Sequence, residues 1–277
     1  HEDLRGYQVI RRVPLALDYR DSRIYTNPPP SSGGMLIGFA LSLLDCISVA
    51  EPEQWLLTLA KTMALTNRTR LEEAAPLLNP ALLERYRNEM IAHATCNRGT
   101  THISIIDAEG NLASATLSNG EGCGHVLPGT GIMLNNMLGE DDINPAGLQK
   151  WIPGTRMASM MAPTLIERDG TRSVLGSGGS NRIRSAILQV LTHLVDHGMS
   201  ADDAVNAPRI HVEGDLLSFE EGFTASEETA LSRTGLKLDR WKGRNLFFGG
   251  VHLVNLSDTG LSAVGDPRRG GVGIVLE

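Results

Sequence analysis

The feature that most constrains this chain is a hydroxyl residue set at the mouth of a strand. Arg98-Gly99-Thr100-Thr101-His102 runs straight into Ile103-Ser104-Ile105-Ile106-Asp107, and the run ends in the turn signal Asp107-Ala108-Glu109-Gly110-Asn111. A threonine at a strand's first position becomes a nucleophile if its own backbone nitrogen is released as a free amine, because that amine is then an adjacent base. Taken bare, Gly-Thr-Thr-His also fits an ordinary strand start. Its meaning depends on what surrounds it.

At 277 residues and 41% hydrophobic, the chain can bury a sizeable core as one large domain or two small ones. Net charge is −7 with no dense basic run, which makes nucleic acid and anionic membrane poor partners. Cys46, Cys96 and Cys123 are far apart and odd in number, giving neither a disulfide framework nor a metal spacing. No apolar run approaches the roughly 18 residues that span a bilayer. His1-Glu2-Asp3-Leu4-Arg5-Gly6-Tyr7 lacks the basic start and apolar stretch of a signal peptide.

Along the chain, Gln8–Leu15 and Arg23–Thr26 read as strands around a turn at Asp18–Asp21. Pro28-Pro29-Pro30-Ser31-Ser32-Gly33-Gly34 is a rigid extended turn, with Ser31 or Ser32 capping a helix Met35–Leu44. Helices follow from Pro52 and over Pro80–Ala94. After Thr100 the pattern turns strand-rich, with strands over His102–Asp107, Asn111–Leu117, Thr164–Glu167 and Ser173–Leu175. Ser118-Asn119-Gly120-Glu121-Gly122 opens a glycine-dense loop, and Glu140-Asp141-Asp142 is an acidic turn. Later come strands at Ile210–Val212, Leu216–Phe219 and Leu261–Val264, a helix Ser226–Arg233, and a strand within Phe247–Val254.

Gly176-Ser177-Gly178-Gly179-Ser180-Asn181 opens the amphipathic helix Ile183–Leu194. Backbone N–H groups at a helix start, approached by glycines, form an anion or oxyanion pocket, while a packing turn explains the same pattern. His193 and His197 stand at zinc spacing but have no third ligand in view, and a helix C-terminus favours histidine for dipole reasons. Blocks of strands and helices suggest stacked sheets with helices outside.

These stretches, in this order, resemble the γ-glutamyltransferase family of N-terminal-nucleophile hydrolases. The resemblance is carried by Glu2-Asp3-Leu4, Pro28–Gly34, Thr100-Thr101-His102, Pro128-Gly129-Thr130-Gly131-Ile132-Met133-Leu134-Asn135-Asn136, Met161-Ala162-Pro163-Thr164, Gly176-Ser177, Asn206-Ala207-Pro208-Arg209 and Asp266-Pro267-Arg268. It implies an α+β fold, a four-layer αββα sandwich, in a chain that begins well inside the family's large subunit. Residues 1–99 would belong to that subunit and residues 100–277 to the small one, both cut from one precursor at Gly99–Thr100.

The resemblance further implies a γ-glutamyl hydrolase or transferase of glutathione-hydrolase type, needing no cofactor or metal and acting in a periplasmic or secreted setting. Thr100 matches the nucleophile, Gly179 and Ser180 match the oxyanion donors, and Ser118 matches a hydroxyl near the nucleophile. Asn119, Glu140, Asp141 and Ser159 match or stand nearest to substrate-binding positions. Two positions depart from the family pattern. Met137 stands where a Gln or Glu would hold the substrate amine, and Met160 follows Ser159 where a second serine would bind its carboxylate. An acylase acting on another amide, a poly-γ-glutamate hydrolase and a non-catalytic relative are the alternatives.

Overall fold

A sheet of six antiparallel strands carries the structure, which is a computed structural model describing residues 5–49, 51–72, 100–140, 143–144 and 152–276. In chain order its strands are β1 (Leu15–Tyr19), β2 (Ser22–Thr26), β5 (Thr164–Arg168), β6 (Thr171–Gly178), β10 (Gly250–Ser257) and β11 (Gly260–Val264), and they lie side by side in that order. Helices α1 (Ser32–Leu44) and α3 (Arg182–Val195) cover one face. α1 is apolar almost all round, with Leu36, Phe39, Leu41 and Leu44 buried, as a helix inside a core must be. α2 (Pro52–Glu72) packs outside α1.

The hairpin β3 (Thr101–Ile106) and β4 (Leu112–Leu117) lies on the opposite face, against β6 and β10. Its inward set is mostly polar, His102, Ser104, Ser114 and Thr116, with Ile106 and Leu112 at the turn end. Ser104 Oγ donates to the His252 carbonyl at 3.2 Å and Ser114 Oγ to the Leu175 carbonyl at 3.1 Å, stitching hairpin to sheet. The outward set, Ile103, Ile105 and Leu117, is exposed among the described residues. Helix layer, large sheet and hairpin make an α+β sandwich.

A three-stranded sheet flanks this core. β7 (Ile210–Glu213) pairs antiparallel with β8 (Leu216–Glu220), which pairs parallel with β9 (Lys237–Trp241). The parallel step needs a crossover, supplied by α5 (Ala225–Ser232), whose start is fixed by a Thr224/Glu227 capping box. The short α4 (Ala201–Asn206) is capped by the Ser200 hydroxyl, which accepts from Asp203 N.

Several expectations shift. The first strand is Leu15–Tyr19, not Gln8–Leu15, because Tyr19 drops into the core and donates its hydroxyl to Asp196 at 2.6 Å. β9 has no counterpart in the sequence reading, and residues 246–248 form a 3-10 turn before β10. The helix expected over Pro80–Ala94 lies outside the described residues. No described helix is long and apolar enough to cross a membrane.

Candidate active site

Thr100 stands one residue before β3, and its Oγ1 donates to Ser118 Oγ at 3.2 Å, just past the end of β4. The hairpin makes this pairing, because Thr101 faces Leu117 in its register. Ser118 Oγ also accepts from Gly120 N at 3.0 Å, which fixes the hydroxyl from the other side.

The end of β6 closes against the same residue. A Cβ on Gly178 would overlap the Thr100 carbonyl, so only glycine lets the two backbones approach. The chain then turns through Gly179 (φ 129°) and Ser180 (φ 53°) into α3. Ser180 thus holds a left-handed conformation that a non-glycine residue takes at a cost of about 1 kcal/mol or more. Ser180 borders the cavity that holds Thr100 and Ser118.

Two buried ionic clusters brace this turn. Glu213 takes Arg184 Nη2 and His211 Nε2 at 3.0 Å and Asn181 Nδ2 at 3.2 Å, with Arg70 Nη1 at 3.5 Å. Arg70 also donates to Asn181 Oδ1 at 3.0 Å, so α2 and β7 both grip the residue that follows Ser180. Burial works to raise the Glu213 carboxyl, but Arg184, His211 and Arg70 outweigh it and hold the group below its ordinary range. In the second cluster Arg268 reaches Glu220 at 2.6 Å and Asp266 at 3.3 Å, and Arg209 reaches Asp266 at 2.7 Å. Arg209 donates to the carbonyls of Phe248 and Gly249 as well, and Gly249 lies against Gly179. Asp266 stays below its ordinary value: burial pushes it up, and Arg209 and Arg268 pull it down further.

Beneath Thr100, His102 packs over Gly176, where any Cβ would overlap the ring. Its Nε2 lies 2.9 Å from Ser104 Oγ and its Nδ1 2.7 Å from Thr116 Oγ1. Ser104 spends its proton on the His252 carbonyl, so Nε2–H donates to Ser104 and Nδ1 accepts from Thr116. That assignment is a neutral imidazole. Burial, with His252 adding to it, pushes His102 down to about 4.

The far wall of the cavity is apolar. Met137, Ile143, Met160, Met161 and Ile183 line it together with Glu140, Ser159 and Gly120. The Pro28–Gly34 turn sets this wall. The N–H groups of Ser32 and Gly33 donate to the Ser159 carbonyl at 2.9 and 3.3 Å, and Ser31 Oγ donates to the Met161 carbonyl at 2.7 Å. The helix-capping role expected for these serines is therefore replaced by a clamp on residues 159–161, for Ser31 makes no side-chain cap bond. Asn135 Oδ1 accepts from Met137 N at 3.0 Å and Asn136 Oδ1 from Glu121 N at 2.8 Å, so this pair positions the loop that carries Met137. The sequence pattern marked both stretches without revealing this use.

Thr100, Ser118, Ser180, Glu140 and Ser159 therefore come together around one cavity, with Gly179 in the adjoining turn. Asn119 does not line it: the residue is exposed, and its amide donates to the Met133 carbonyl at 3.3 Å. Gly99 and Asp141 lie outside the described residues. His193 and His197 have ring centroids 5.8 Å apart, and the described residues contain no group of three metal-capable side chains.

An α+β sandwich with a hydroxyl residue at a strand's mouth and a glycine turn at a helix start defines the class of N-terminal-nucleophile hydrolases. Comparison with known proteins agrees: the Gamma-glutamyltranspeptidase family profile matches residues 1–276, and the chain belongs to that family. It is 28% identical to the glutathione hydrolase proenzyme of Pseudomonas aeruginosa, a match covering 100% of this chain and 57% of that protein. The chain spans about half the length of the curated relatives it matches. Among solved structures, the fold superposes on cephalosporin acylase from Bacillus halodurans with a TM-score of 0.83 at 22% identity, covering 100% of this chain and 55% of that one. It also superposes on the gamma-glutamyltranspeptidase of Pseudomonas nitroreducens with a TM-score of 0.54 at 30% identity, covering 64% of this chain and 100% of that one.

Proposed function

We propose that this chain carries the centre of a self-processing amide hydrolase or acyl transferase whose nucleophile is Thr100. The observation that carries the reading is the meeting of Thr100 Oγ1 with Ser118 Oγ at 3.2 Å, in a cavity bordered by the start of α3. The proenzyme names of the matched relatives support processing, and glutathione hydrolase and acylase names support amide chemistry.

In processing, Thr100 Oγ attacks the Gly99 carbonyl and the peptide C–N bond breaks, leaving an ester. Water then hydrolyses that ester, giving a Gly99 carboxylate and a free amine on Thr100. In turnover the amine takes the hydroxyl proton as Oγ attacks the substrate carbonyl, the adjacent-base solution to threonine nucleophilicity. Ser118 orients the attacking oxygen. The N–H groups of Gly179 and Ser180 receive the developing oxyanion, the step where fixed donors contribute most. Collapse passes the proton to the departing amine and leaves a threonyl ester, which water or a second amine resolves.

Cleavage would separate residues 1–99 from residues 100–277 as two subunits of one precursor. Denaturing electrophoresis and intact mass test this directly. Wild type yields the two pieces with Thr100 as a new N-terminus, and Thr100→Ala stays whole. A wild-type chain that remains uncut and hydrolyses no γ-glutamyl, glutaryl or aliphatic anilide overturns the reading. For the acyl group, γ-glutamyl amides follow from the family, whereas the methionine wall beside Thr100 favours a different acyl chain.

A further inference from the structure

We propose that Arg269 is a positioning residue for the reaction at Thr100, holding an unpaired positive charge against the turn at Gly179. The proposal rests on the reading of Gly179 and Ser180 as the oxyanion donors. Arg269 closes the 3-10 turn Pro267–Arg269, so one short turn gives Arg268 to the buried brace and brings Arg269 to the Gly179 loop. Its stem lies across Gly250, where a Cβ would overlap Cβ, Cγ and Cδ of the arginine, and Gly250 is the β10 partner of Gly178. Its guanidinium reaches Gly179. There Nη2 stands 3.2 Å from the position a Gly179 Cβ would take, and it donates to the Leu246 carbonyl, also at 3.2 Å. Glycine at 179 and at 250 leaves this space to the arginine.

Charge separates Arg269 from the two arginines beside it. Arg209 and Arg268 sit on Asp266 and Glu220, whereas Arg269 makes no ion pair among the described residues. Its Nε is buried with no hydrogen-bond partner there. Asp266 attracts it from a distance, but burial outweighs that attraction and holds the guanidinium below its ordinary value. A guanidinium keeps its proton even so. A part-buried cation without a carboxylate is costly to hold, and this one is placed where a negative charge develops during the reaction. Its field grows in value as the oxyanion forms, and a fixed charge needs no reorganisation to meet it. Arg269 is not among the described residues lining the Thr100 cavity, so it acts through the turn and touches no substrate.

The test compares Arg269→Met, which keeps the stem and removes the charge, with Arg269→Lys, which keeps the charge. Turnover of the most reactive anilide is measured per cleaved chain, with kcat and KM resolved, beside the denaturation midpoint. The expected result for Arg269→Met is a fall of about tenfold or more in kcat at an unaltered KM, because only the transition state meets the charge. Arg269→Lys should stay within about threefold of wild type. Full turnover in Arg269→Met, a rise in KM in place of the fall in kcat, or an equal loss in both variants overturns the proposal. Where Arg269→Met also lowers the midpoint, Arg269→Lys decides: a retained kcat supports the charge, and a loss of about tenfold rejects it. A wild-type chain that stays uncut and inactive overturns the Thr100 reading itself, before either variant is made.

Discussion

The two walls of the cavity around Thr100 are built by opposite means. On one side, the Gly178–Ser180 turn is set by backbone contact and braced by two fully buried ionic clusters. On the other, Met137, Met160 and Met161 line the cavity, beside Ser159 and Met161 carbonyls that the Pro28–Gly34 turn clamps. Donors that must meet a developing charge gain from immobility, because reorganisation during the reaction costs rate. A wall that must admit acyl groups gains from a side chain that repacks. Under the proposed function, bond-making would fall to the first wall and selection to the second.

The largest expected effect strikes the rigid side. Thr100→Ala should lower turnover by about 10⁴-fold or more, measured on the most reactive anilide, with no cleaved product on a gel. Next comes the brace. Arg268→Met strands Glu220 without its cation and leaves Asp266 to Arg209 alone, and breaking a buried pair this way costs about 3–5 kcal/mol, read as a fall in the denaturation midpoint. An unchanged midpoint would mean the clusters do not hold the turn.

His102 gives a pH signature. Its folded value near 4 lies below the ordinary 6.5. The unfolded chain therefore takes up its proton first as pH falls. Stability is complete above about 6.5 and is lost as pH drops towards 4, by up to about 3 kcal/mol. His102→Gln should flatten that part of the curve, measured by denaturant titration at several pH values, and a slope unchanged by the substitution would count against a neutral His102.

Gly178→Ala should push Thr100 out of line and cost about 10²-fold in turnover with the chain still folded. On the soft side, Met160→Leu should cost less than about 1.5 kcal/mol and change substrate preference more than stability. Ser180→Gly should be the mildest change. It relieves a left-handed conformation while freeing the unfolded chain, so stability moves by less than about 1 kcal/mol and the backbone N–H proposed as an oxyanion donor survives. A loss of turnover there would show that the Ser180 side chain itself acts.

Much of the scaffold was readable from residues. The strand after Thr100, its partner over Leu112–Leu117 and the helix after Asn181 stand within a residue or two of their expected limits, because alternation and helical spacing are local signals. β9 escaped because Lys237-Leu238-Asp239-Arg240-Trp241 is charged and largely exposed, with no alternation to mark it. Asp266-Pro267-Arg268 and Ala207-Pro208-Arg209 stood out as motifs, yet nothing in their spacing says that two arginines end fully buried on shared carboxylates.

By itself the sequence determined which residues share a face and where a hydroxyl meets a strand. Tertiary structure alone decided which face turned inward. In β3 and β4 it turned His102, Ser104, Ser114 and Thr116 inward and left Ile103, Ile105 and Leu117 outward, because the hydroxyls and imidazole find acceptors on β6 and β10 and on one another. A period of two fixes membership of a face and is silent about its partner, and only the surface packed against it supplies that choice.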